Sequence, residues 1–161
     1  MQIAYIIARD GMVVHSSTYS DIIFDSELEI LQVIWKAKPT DSAFKETYLQ
    51  GLSFVQEVQP VMLYCTDLTI IGPLEREQEA WLNNVFYGKL HDAVKQDVFT
   101  AVVFTEAHFK AIITNYAATE AVNTQDFMLF NYFTDRAEAL HWLESVKKGQ
   151  DASLFPISLH I

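Results

Sequence analysis

Hydrophobic and polar positions follow a short period along the first third of the chain and a longer one afterwards. Ile3–Ala8 and Met12–Ser17 are apolar-rich runs on either side of Arg9-Asp10-Gly11, whose Asp-Gly pair is a hairpin turn signal. Ile22–Asp25 and Leu28–Trp35 repeat the arrangement around Asp25-Ser26-Glu27. In the later run, Leu28, Ile30, Gln32 and Ile34 fall on one face and Glu29, Leu31, Val33 and Trp35 on the other. Both faces are apolar towards the end, as expected of a strand well inside a sheet.

After Lys38-Pro39 the spacing becomes helical. Thr40 or Asp41 is positioned to cap a helix in which Phe44, Tyr48, Leu52 and Val55 share a stripe, ending near Glu57 before Pro60. Val61–Cys65 reads as a short buried strand. Gly72-Pro73 then predicts a helix opening at the proline, with Leu74, Trp81, Leu82 and Val85 as its buried stripe. Phe99–Thr105 is a further strand, and Phe109, Ile112, Ile113, Tyr116 and Ala117 a further helical stripe. Phe127–Phe133 is an aromatic-rich strand, and a helix from Thr134, its expected cap, to about Lys147 closes the pattern. In the tail DASLFPISLHI, Pro156 restricts any strand to an edge.

Antiparallel strands followed by strand–helix alternation predict an α/β fold. The expectation is one domain over 1–161, a mixed sheet whose later strands are parallel and covered by helices. Length and composition agree. The chain has 161 residues, half of them apolar, with only five glycines and four prolines, which is a globular composition.

Charge narrows the choice of partners. Twenty-one acidic side chains against eleven basic ones leave a formal charge of −10, which repels phosphate backbones, so nucleic-acid binding is not expected. Cys65 is the only cysteine, which excludes an intrachain disulfide and a thiolate zinc cluster. The opening MQIAYIIARDGM has no basic segment before its apolar run, and no stretch is long and apolar enough for a membrane span. A cytoplasmic location is the expectation.

Two stretches invite a chemical reading. Glu138-x-x-His141 sets a carboxylate and an imidazole one helical turn apart, but dimetal bundles need two such copies and further carboxylates. Ala139, Leu140, Leu143 and Val146 form the opposing apolar stripe, so Glu138 and His141 belong to a solvent face. Thr66-Asp67-Leu68-Thr69 ends an apolar strand, where open α/β sheets bind ligands. Asp67 fits either a turn-capping role or a site; the haloacid-hydrolase pattern has a second aspartate where Thr69 stands. No glycine-rich phosphate loop, nucleophile elbow or zinc-protease motif is present, and no catalytic residue, metal or cofactor is expected. The aromatic residues at strand and helix spacing are core, or the lining of a cavity for an apolar ligand.

The order of these pieces resembles a known family. Trp35 closing a hairpin, Phe44–Leu52, the strand VMLYCTDL, Glu77-x-x-x-Trp81, AVVFT and finally YFTDRAEALHWL are similar to uncharacterised bacterial proteins grouped as SpoIIAA-like or STAS/SEC14-like. The likeness spans roughly 19–148, leaving 1–18 as an extra N-terminal hairpin and 149–161 as a tail. It implies a non-enzymatic regulatory or ligand-sensing role, with a helix N-terminus as the contact surface. Thr66, Asp67, Thr69, Glu75 and Arg76 are the contact residues it points to. In that family a hydroxyl at this helix start is phosphorylated; here Gly72-Pro73-Leu74-Glu75 supplies none, and Glu75 offers a fixed charge instead. The alternatives are a carrier or sensor of a small apolar ligand and a hydrolase with a site near Asp67. Apolar residues around Asn83–Tyr87 suggest a homodimer contact.

Overall fold

The computed structural model describes residues 6–8, 11–111 and 126–152. Among these residues, seven strands form one sheet in sequential order. They are β1 (Ile6–Ala8), β2 (Gly11–Ser16), β3 (Ser20–Asp25), β4 (Ile30–Trp35), β5 (Leu63–Asp67), β6 (Val98–Val103) and β7 (Met128–Phe133). The first four are antiparallel and β4 to β7 are parallel. The α/β class and mixed sheet expected from the pattern are therefore present.

The turns explain the N-terminal meander. Gly11 has φ +130, and an added Cβ there would meet the Phe24 carbonyl oxygen at 2.6 Å, so glycine is required as β2 begins. The β3–β4 turn is longer than the sequence suggests. The Asp25 carboxylate accepts from the Glu27 and Leu28 N–H groups, and Glu29 takes a left-handed φ of 59. Leu28 consequently lies in the turn, and β4 starts at Ile30.

Helix α1 (Asp41–Glu57) follows its predicted limits, with the Thr40 hydroxyl accepting from the Ala43 N–H at 3.1 Å. The second helix departs from expectation. Pro73 and Leu74 remain in the loop, and α2 (Arg76–Trp81) starts after Glu75, whose N–H bonds to Gln78 Oε1 at 2.9 Å in a capping box. That reciprocal cap outcompetes the proline start. A π turn, Leu82–Phe86, continues into α3 (Tyr87–Val94). It displaces the buried phase, so that Leu82, Phe86, Leu90 and Val94 face the core while Val85 is 38% exposed. A helical segment over 106–111 (α4) starts after Thr105 and reaches the limit of the described residues. Most of the stripe from Phe109 to Ala117, and the tail from Ser153, lie outside them.

The last helix, α5 (Arg136–Ala152), is capped by Asp135 rather than Thr134: the Ala139 N–H reaches the Asp135 carbonyl at 3.2 Å. Sequential parallel strands joined by crossovers of one hand put their connecting helices on one face. Accordingly α1, α2 and α3 pack on one side, around Trp35, Phe44, Phe24 and Phe54. α5 covers the other side. There Ala139 and Leu143 meet Ile30, Leu63, Cys65, Ala101 and Val103. Each large side chain buried in this way contributes on the order of 2–3 kcal/mol.

Candidate functional site

The candidate residues gather where the parallel strands end. β5 delivers Thr66 and Asp67 there, Thr66 towards the α1 face and Asp67 towards the α5 face. The Asp67 Oδ1 accepts from the Thr69 N–H at 2.9 Å, closing a tight turn directly after the strand. Its Oδ2 lies 3.8 Å from the Arg136 Nε, at the start of α5. The Asp67 side chain is 15% exposed and that of Arg136 41%, so the pair sits at the rim of the sheet end.

The loop from Leu68 to Glu75 rises from this base. Leu68 is buried, Gly72 takes φ +75, and Ile70 projects with 68% of its surface exposed. Ile70 is the most exposed large apolar residue among the described residues. Glu75 and Arg76 follow at the start of α2, both exposed. Sequence reasoning found Thr66, Asp67, Thr69, Glu75 and Arg76 and missed Arg136. Its only signal was a position just past β7, and the pairing with Asp67 exists because α5 folds back over the sheet.

The chemistry beneath the loop is restrained. Burial raises the Cys65 thiol to about 12, with the Asp67 charge adding to the effect and Arg136 opposing it. Cys65 is therefore a protonated core residue rather than a nucleophile at neutral pH. The Tyr48 hydroxyl, beside Trp35 and Thr66, is likewise raised by burial to about 12. Among the described residues no three His, Cys, Asp or Glu side chains are grouped to hold a metal ion. No family model, curated protein or solved structure matches this chain. No described helix is long and apolar enough to cross a membrane.

The Glu138–His141 pair lies on α5, both residues exposed. With Phe133, Ala137, Trp142 and Ser145 it lines an open, shallow and mostly apolar groove. Glu138 and His141 point to solvent, as helix periodicity requires. The aromatic residues of the opposite face pack against one another, with Trp35 stacked on Phe44 at 5.6 Å and Phe86 against Tyr48 at 5.2 Å.

Proposed function

We propose that this chain is a STAS-like, non-enzymatic module that binds a protein partner through the β5–α2 loop. The observation that carries the reading is Ile70. An isoleucine held in water on a loop with a fixed base is suited to anchor an interface. The Asp67–Thr69 turn and the Asp67–Arg136 pair hold that base, and the loop ends in the exposed charges of Glu75 and Arg76. The resemblance in chain order and the antiparallel-then-parallel sheet support the same reading. So does a cysteine that is protonated and buried below the loop.

Affinity capture from the source cell, with wild-type, Ile70→Asp, Asp67→Ala and Arg76→Ala baits, tests it. A partner retained by the wild type and lost with Ile70→Asp, while the variant keeps its melting temperature, is the expected result. Capture of every partner equally by all four baits would overturn the assignment of this surface.

A further inference from the structure

The groove along α5 has a volume of about 440 Å³ and an aromatic lining. The half-buried Trp142 ring lies 5.9 Å from Phe133 and 6.4 Å from Phe99, and the small side chains of Ala137 and Ser145 line the same groove. The segment that follows α5 has the complementary pattern. In Ser153–Ile161, Phe155, Ile157, Leu159 and Ile161 alternate with Pro156, Ser158 and His160, as in an extended segment with one apolar side. Pro156 fixes its own φ in the range of extended backbone and biases Phe155 the same way. Both restraints reduce the entropy lost when the segment is held extended.

Reach and topology fit this segment to the groove. From Ala152 back to Ala137 is about 22 Å along the helix axis. With Ser153 and Leu154 making the reversal, Phe155–Ile161 extends over about 23 Å and so runs the length of the groove. A parallel strand added beside β7 is the other use of such a pattern. However, α5 lies on the opposite face from α1, α2 and α3, so that crossover would have the opposite hand to the ones before it. Charge selects among the remaining occupants. Ser153–Ile161 holds no acidic side chain to be repelled by Glu138 at the groove, whereas a second copy would bring its own charge of −10. A shallow groove holds an unlinked peptide weakly, while a segment tethered to α5 is present at an effective concentration on the order of millimolar.

We propose that Phe155–Ile161 docks along the α5 groove, with its alternate apolar side chains on Phe133 and Trp142. This does not depend on the Ile70 surface. The test is NMR on the full chain, with the Trp142 indole N–H assigned by its loss from the spectrum of Trp142→Phe. Nuclear Overhauser contacts from the Ile157 and Leu159 methyl groups to the Trp142 and Phe133 rings are expected, with an intensity per molecule that dilution leaves unchanged. A double variant, Ile157→Asp with Leu159→Asp, should abolish them, move residues 155–161 to random-coil shifts and displace the Trp142 indole signal. Its amide spectrum away from the groove should match the wild type, which shows that the sheet remains folded. Random-coil shifts for 155–161 in the wild type would overturn the proposal and leave the groove to a partner protein. Contacts found only between differently labelled copies in a mixed sample would overturn it in favour of a second copy. A Trp142 indole signal unmoved in the double variant would also refute it.

Discussion

Asp67 holds two different interactions, and two substitutions separate them. Asp67→Asn keeps an oxygen for the Thr69 N–H at 2.9 Å and removes only the charge facing Arg136 at 3.8 Å. With Arg136 41% exposed that pair is screened by solvent, and its loss costs about 0.5 kcal/mol. Asp67→Ala also removes a hydrogen bond to a backbone donor, which raises the loss to about 2 kcal/mol. Urea unfolding at low and high salt reads both. The Asn variant should converge on the wild type as salt screens the pair, while the Ala deficit persists. Arg136→Gln should behave like Asp67→Asn, and the double variant should lose little more than either single one. An Asn variant as unstable as the Ala variant would refute this division, because the ion pair rather than the turn would then hold the loop.

Two further outcomes follow from the interior. Ser20 and Thr47 share a buried hydrogen bond of 2.8 Å, and the Thr47 hydroxyl also donates to the Ala43 carbonyl, so Ser20 is the donor between them. Thr47→Val therefore strands the Ser20 hydroxyl and costs about 1–3 kcal/mol, much of which Ser20→Ala restores; strictly additive losses in the double-mutant cycle would contradict that assignment. Burial lowers the His108 pKa below its usual 6.5. Its contribution to stability is complete above 6.5 and is lost as pH falls below that value towards the folded-state pKa. Denaturation from neutral to acidic pH should show a shallower decline in His108→Leu than in the wild type, and parallel curves would remove His108 from the pH response.

Local patterns in the sequence determined much of the fold. Period-two runs around a turn with an obligatory glycine produced the antiparallel start, and a threonine cap with a four-spaced stripe produced α1 almost to the residue. These features depend on neighbours in sequence, so sequence alone carries them. The start of α2 was decided by competition between two local signals, Pro73 and the Glu75–Gln78 capping box, and only the folded chain shows which prevailed. The same holds for the cap of α5, where Asp135 took the place expected for Thr134.

The candidate sites belong more fully to the tertiary structure. Asp67 was visible as a strand-end aspartate, but its partner Arg136 lies 69 residues away by numbering and meets it because α5 folds back across the sheet. The exposure of Ile70 depends on how the loop leaves β5, which no periodicity records. The π turn shows the same division most clearly. It lets Leu82, Phe86, Leu90 and Val94 all face the core, and it turns Val85 outward against the expected stripe. Short-range chemistry therefore selected the elements. Packing against the sheet set their phase, and with it the side chains that meet at each surface.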